Sequence, residues 1–242
     1  MYSGRNKTID AYKGILVVLM ILAHVIQFLC IGNHLSTYLS SYVNLTTFSG
    51  FFFIFGFTNQ IAYFDKDDNK HPQKKILNNA VKILIAYYIS AFSYRFFIST
   101  VFVFSLKLFA EIIIFYDVPG YSEFLISFFL ISLISFFFFS YLRKITVKQT
   151  FLLSAFCLLM TFVPTTKFDF IPQLGLLWGS HKYTAFPIIQ YLPFYLIGIQ
   201  FSKNKVGYHS KIMITALVFT ISYFTYSYIF GIPTRFPPTL IF

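Results

Sequence analysis

The sequence predicts an all-α fold, a polytopic transmembrane helical bundle of about seven spans, and three observations carry that prediction. The 242-residue chain is 57% hydrophobic and only 11% charged, whereas a soluble domain carries roughly 25% charged residues. Its apolar runs recur at lengths that cross a bilayer as helix, and the short alternating segments of a membrane β-barrel are absent. Its cations gather in short loops between those runs, which is a topology signal. The net charge of +11 is therefore read as topology, and no nucleic-acid partner is expected. The 35 Phe residues enrich the spans and pack against lipid or other helices.

In chain order, spans are expected at residues 12–31, 47–64, 80–104, 121–142, 149–164, 185–201 and 211–231. The first run has the length of a span and lacks a small-residue cleavage site, so it reads as a retained helix. The connections Asp65 to Lys75, Arg143 to Lys148 and Lys203 to Lys211 are short and basic. Residues 105–120 are too short to span and read as an interfacial or re-entrant segment covering a cavity. Residues 165–184 form the longest non-helical piece, and their Lys167, Asp169, Trp178, His181 and Lys182 suit a water–lipid boundary. After the last span, the two prolines of Arg235-Phe236-Pro237-Pro238 stop the helix and set an extended turn. Residues 1–242 read as a single membrane domain, with no internal repeat, low-complexity tract or second soluble domain. Cys30 and Cys157 give neither metal spacing nor a disulfide framework.

With the N-terminus inside, fourteen of the 19 Lys and Arg residues fall on the inner side: Arg5, Lys7, Lys13, Lys66, Lys70, Lys74, Lys75, Lys82, Arg143, Lys144, Lys148, Lys203, Lys205 and Lys211. Arg95, Lys107, Lys167, Lys182 and Arg235 remain outside or within spans. This bias predicts a cytoplasmic N-terminus in a cell membrane, and it favours an odd number of spans.

Within the first span, Lys13 is expected at the helix mouth and His24 in the apolar interior. Eleven steps of 100° make about three turns, so both side chains share one stripe about 16 Å long, with Asp10 close to it. Ionisable groups are costly at that depth, which marks the stripe as a functional candidate. His24 can exchange protons, or it can be a structural histidine bonded to a neighbouring helix. Metal binding is disfavoured, because no second His or Cys lies at ligand spacing. Lys13 can equally be a snorkelling anchor, and Asp10 a helix N-terminal carboxylate. Lys74, Lys75 and Lys82 form a second basic cluster. Lys82 lies one or two turns inside its span, where a phosphate-rich ligand at the cytoplasmic mouth would justify it, while Lys74 and Lys75 read as ordinary positive-inside residues. Arg95, deep in its span, needs a partner or a watery cavity. Glu111, Asp117 and Glu123 read as sugar-binding or histidine-orienting candidates on the outer side, and Asp117 as a solvated loop charge.

Taken together, these residues resemble the acyltransferase 3 family of integral-membrane acyltransferases. Its first helix typically carries Arg, less often Lys, then ten residues, then His, and Lys13 and His24 match that spacing. Phe51 to Phe57, with Gly56, resembles its second helix, and Tyr191 to Gly198 its later Phe/Tyr-Leu-x-Gly helix. Asn79 and Lys82 fall where many members carry Arg-x-x-Arg, and Arg235-Phe236-Pro237-Pro238-Thr239 resembles its basic-aromatic-Pro-Pro turn. Two features depart from the pattern. Lys13 lacks the planar guanidinium fork, and members have about ten spans, so the last helices are expected to be missing from this sequence.

The resemblance implies transfer of an acyl group, most often acetyl, from a cytoplasmic acyl-CoA co-substrate, with no bound cofactor. The acceptor is a hydroxyl on a surface glycan or lipid-linked sugar of a bacterial envelope. It implies Lys13, Lys82 and Asn79 at the donor and His24 with Lys13 at the chemistry. Asp10, Arg95, Glu123 and Arg235 are acceptor-side or supporting candidates. Two other readings stay open. A proton-coupled transporter or flippase would also keep a buried His and Arg95, although the inverted repeats of that class are absent. An inactive, truncated remnant is the other.

Overall fold

The computed structural model describes residues 7–29, 34–66, 71–99, 105–120, 122–163, 171–180, 186–207 and 209–233. Every regular element among them is helical: α1 (Lys7–Leu29), α2 (His34–Asn59), α3 (Pro72–Phe97), α4 (Leu106–Ile113), α5 (Glu123–Phe137), α6 (Phe139–Lys144), α7 (Val147–Leu159), α8 (Pro172–Trp178), α9 (Ile188–Lys203) and α10 (Ser210–Phe230). A π-helical turn, Gln60–Phe64, follows α2, and a 3-10 turn, Met160–Phe162, follows α7. By length and composition, α1, α3 and α10 are long and apolar enough to cross a membrane, and α5 and α7 with its 3-10 turn are shorter apolar helices. Helix α1 exposes Val17, Val18, Ile21 and Val25, and α10 exposes Leu217, Val218, Phe219 and Ile221. Such apolar surfaces suit lipid rather than water.

Several boundaries differ from the expected ones, each for a local reason. Helix α1 starts at Lys7, with Asp10 in its first turn, where a carboxylate complements the helix dipole. Lys13 therefore stands nearly two turns after the start of the helix. Helix α2 starts at His34 and includes the hydroxyl-rich segment that precedes residue 47. In that segment Thr46 turns back onto its own helix, donating to the Tyr42 carbonyl at 3.0 Å, as Ser49 just after it does to the Leu45 carbonyl at 2.6 Å. Helix α3 begins on Pro72, whose fixed φ suits a first helical position, and ends at Phe97, so Arg95 sits in its last turn and not deep in a span. The segment expected to be the longest non-helical piece contains α8, and Trp178 is helical. Lys167, Asp169, His181 and Lys182 lie outside the described residues, as do Cys30 and Arg235 with its Pro-Pro turn.

The chain divides into two compact units. Among the described residues, unit 1 comprises 7–58 and 194–233, and unit 2 comprises 59–193. The divisions fall where α2 gives way to its π-turn and at Pro193 inside α9.

In unit 1, α1 buries Leu16, Ala23 and Ile26. Leu16 and Tyr12 lie over Gly50 of α2, where an added Cβ would stand 2.6 Å from a Leu16 methyl and 2.9 Å from the Tyr12 hydroxyl. Helices α2 and α9 cross at Gly56 and Gly198. A Cβ on Gly56 would lie 2.8 Å from the Tyr195 carbonyl carbon, and one on Gly198 2.9 Å from that of Phe53. Both are closer than side-chain carbons approach a backbone, so only glycine allows this crossing. The first half of α2 meets α10 through two hydroxyl pairs, Ser41–Tyr223 at 2.6 Å and Tyr42–Thr220 at 2.9 Å.

In unit 2, α3 packs along α5. Tyr87, Ala91, Ile112, Ile126 and Leu176 form the buried cluster, drawn from α3, α4, α5 and α8. The segment expected to be interfacial or re-entrant contains α4, whose N-terminus is capped by Ser105 accepting from the Leu108 N–H at 3.1 Å. The Tyr88 hydroxyl donates to the Ile113 carbonyl at 3.1 Å and ties the end of α4 to α3. Ser127 donates to the Phe186 carbonyl at 2.6 Å inside the same unit.

Candidate functional site

The continuous α1 keeps Lys13 and His24 on one stripe. Their directions differ by about 20°, and the rise between them is about 16 Å. Both are half-buried, and they border the face that carries Leu16, Ala23 and Ile26 into the unit. Asp10 is half-buried one turn before Lys13. The His24 ring stacks on Phe28 one turn further on, with centroids 6.5 Å apart and planes at 29°. Its Nδ1 is shielded from solvent. An imidazole held this way, in an apolar helix but on its half-open side, can take and return a proton where water is scarce.

The other expected site residues belong to unit 2 or lie outside the described residues. Lys82 is exposed on α3, and Asn79, one turn before it, is half-buried. The donor set therefore divides, with Lys13 in one unit and Lys82 and Asn79 in the other. Glu123 opens α5 and is half-buried.

Arg95 does have a partner. Its Nε donates to one Asp117 oxygen at 3.0 Å and its Nη2 to the other at 2.6 Å, a two-pronged contact. The two side chains are 28% and 22% exposed, so water is largely kept from the pair. Asp117 is thus not a solvated loop charge: it clamps the chain after α4 to the end of α3. Glu111 is engaged locally by Lys107 at 3.9 Å, one turn earlier on α4.

Two features were missed from sequence. Asn59 and Gln60 are 4% and 3% exposed at the start of the π-turn, and a polar pair inside the run Phe51 to Phe64 was the available signal. The second is a cavity that joins Lys74 to Arg143 and Lys144. No sequence signal links those positions, which are brought together only by the packing of α3 against α5 and α6.

A family model described as heparan-alpha-glucosaminide N-acetyltransferase, catalytic, matches residues 5–232. No curated protein and no solved structure matches the chain. The match spans both units and the whole α1 stripe, and it meets the broader part of the expectation, a membrane acetyltransferase, without singling out acyltransferase 3. The chain belongs to the heparan-alpha-glucosaminide N-acetyltransferase catalytic family, a membrane acetyltransferase-type family.

Proposed function

We propose that the protein transfers an acetyl group from a cytoplasmic acyl-CoA, acetyl-CoA above all, to a hydroxyl of a surface glycan or lipid-linked sugar. The observation that carries this reading is the Lys13–His24 stripe on one unbroken helix of a chain in an acetyltransferase family. In the proposed reaction, His24 withdraws the acceptor proton as the oxygen attacks the thioester carbonyl carbon. A C–O bond forms, the C–S bond breaks, and the departing thiolate takes up a proton. Passage of the acetyl group through the imidazole itself is the two-step variant. Lys13 faces the anionic donor, and the 16 Å or so between it and His24 suits a long pantetheine arm. Lys82 and Asn79 are proposed donor contacts with a test of their own, while Asp10, Glu123 and Arg235 are proposed supports.

The same reading places the N-terminus in the cytoplasm and takes the chain as seven spans of a bacterial plasma membrane. The first-helix spacing and the glycines at 56 and 198 support an acyltransferase 3-like mode within the broader class. One observation favours a second acceptor. The family description names a glucosaminide N-acetyltransferase, and a sugar amine would use the same base.

The test is acetyl transfer from labelled acetyl-CoA, in membranes that hold the protein, to sugars bearing only a free hydroxyl or only a free amine. His24→Gln is expected to insert normally and transfer nothing, because an amide neither takes a proton nor carries an acyl group near neutral pH. Lys13→Ala should raise the apparent donor constant, Lys13→Arg should be tolerated, and Lys82→Ala and Asn79→Ala should behave as Lys13→Ala does. Substantial turnover by His24→Gln would sink the catalytic assignment and bring the proton-coupled carrier forward.

A further inference from the structure

In unit 2, a cavity of about 320 Å³ lies between the last turns of α3 and α4, against Phe92, Phe96, Leu108, Phe109 and Ile112. The polar side chains among the described residues that line it are Arg95 and Ser105. Both are engaged. Arg95 is balanced by its two-pronged pair with Asp117, and Ser105 accepts the Leu108 N–H as the cap of α4. Helix α4 is pinned beside the cavity at its far end, where the Tyr88 hydroxyl donates to the Ile113 carbonyl at 3.1 Å and the Gln173 amide to the Ile114 carbonyl at 3.0 Å. The rings of Phe92 and Phe109 stack across it, with centroids 4.8 Å apart. A shallow furrow of about 600 Å³ runs along the outer face of α3, from Ile85 and Ile89 to Phe97. Phe92 and Phe96 line both spaces, so the furrow and the cavity adjoin there.

We propose that this cavity holds part of the hydrocarbon chain of a membrane lipid, with the rest of the chain lying in the furrow. Three observations converge. The first is the chemistry of the wall. With Arg95 balanced and Ser105 engaged, the described wall offers water or an anion no unbalanced charge, and apolar cavities of this kind stay dry and take apolar guests. The second is size. The cavity falls in the range of small-molecule sites, roughly 300–1,000 Å³. The twelve steps from Ile85 to Phe97 span about 18 Å of helix, and one lipid chain fills half of a hydrocarbon core about 30 Å thick. The third is continuity with the surface that meets lipid. Helix α3 is long and apolar enough to cross a membrane, and Ile85, Ile89, Phe96 and Phe97 of the furrow are exposed on it. A bilayer chain already lying on that face reaches the cavity past Phe92 and Phe96. The site reads the chain and not the headgroup, because its one described cation is already paired.

The site stands on geometry and does not depend on the acetyl-transfer reading. Its test uses the purified full chain in phosphatidylcholine nanodiscs doped with a phosphatidylcholine that carries a photoreactive diazirine in one chain. After irradiation, adducts are mapped by mass spectrometry of peptides. Ile112 is the diagnostic residue: it lines the cavity and is 1% exposed, so lipid lying outside does not touch it. Leu217, exposed on α10, reports ordinary surrounding lipid. Adducts on Ile112 are expected at a yield within about threefold of those on Leu217, and their absence overturns the site. Leu108→Trp, which fills the cavity, should cut the Ile112 yield about tenfold, the lost burial of about two chain methylenes, and leave Leu217 unchanged. Leu106→Trp, on the exposed side of α4, should change the Ile112 yield less than twofold. An equal loss in both variants would overturn the site, by tracing the effect to disturbance of α4 alone. A phosphatidylglycerol with the same photoreactive chain should label Ile112 as phosphatidylcholine does. That comparison uses the unaltered protein, so it carries the test even where Leu108→Trp unfolds. A tenfold preference for phosphatidylglycerol would identify a headgroup site and overturn recognition of the chain.

Discussion

At Gly56 and Gly198 the helices of unit 1 meet backbone to backbone, whereas in unit 2 α3 meets its neighbours through long side chains, Tyr87, Tyr88 and Arg95. The difference decides how each unit tolerates change. A side-chain contact has two replaceable ends, so the loss of one can be relieved by altering the other. A backbone crossing has only one replaceable end, because the opposite surface is a carbonyl that every residue carries. The glycine crossing is therefore expected to fail without remedy, and the side-chain clamp to fail reparably.

The largest expected effect tests the first half of that contrast. Gly56→Leu or Gly198→Leu drives a side chain into the facing backbone of α9 or α2, and the helices must separate. Overpacking a tight contact costs about 1–3 kcal/mol, and here no rotamer escapes, so the cost is expected at or above about 3 kcal/mol. The measurement is the yield of monodisperse protein by size exclusion, and Gly→Ala should move it in the same direction by less. Wild-type yield and melting behaviour from Gly56→Leu would show that the crossing does not hold unit 1 together.

The clamp comes next. Asp117→Asn leaves the Arg95 guanidinium, only 28% exposed, without its charged partner. Hydrogen bonds to charged groups contribute about 1.5–3 kcal/mol, and that is the expected destabilisation. The double variant Arg95→Leu with Asp117→Leu should recover much of the loss, because it leaves no unpaired charge behind. Denaturant titration of Arg95→Leu, Asp117→Leu and the double supplies the coupling. Strict additivity would mean that the pair acts as two separate surface charges.

What was legible beforehand follows from the range of each interaction. The all-helical class, and helical structure under each expected span, came from apolar run lengths, although the run 121–142 is divided between α5 and α6 and only α1, α3 and α10 are long and apolar enough to cross a membrane. The Lys13–His24 stripe was legible because eleven residues on one helix have a fixed angular relation, whatever the helix packs against. Gly56 and Gly198 were picked out by resemblance, and their physical reason emerged only with the crossing of α2 and α9. The start of α2 was misplaced because its Ser and Thr residues look like loop composition, while Thr46 bonds back to a carbonyl of its own helix and Ser41 pairs with Tyr223 of α10. Asp117 was misjudged because its tie to Arg95 depends on how the segment after α4 folds. The cation-lined cavity was invisible for the same reason, since Lys74 and Arg143 meet only through tertiary packing.

The smallest effect sharpens the comparison from inside unit 1. Its helices α2 and α10 are joined by side chains, as in unit 2: the Tyr42 hydroxyl lies 2.9 Å from that of Thr220, and its ring packs 4.9 Å from Phe224. Tyr42→Phe keeps the ring contact and removes only the hydroxyl, and Thr220→Val removes the partner with little change of shape. Hydrogen bonds between membrane helices couple by about 0.6 kcal/mol on average, because the separated helices find other partners in the bilayer. Each single variant is therefore expected to cost well under 1 kcal/mol, and the double variant little more than either single. If backbone proximity governs unit 1, removing this hydroxyl pair leaves the folded yield that Gly56→Leu destroys. A loss as large as the glycine variant's would move the anchor of unit 1 from the glycine crossing to the hydroxyls of α2, and both units would then be held by side chains.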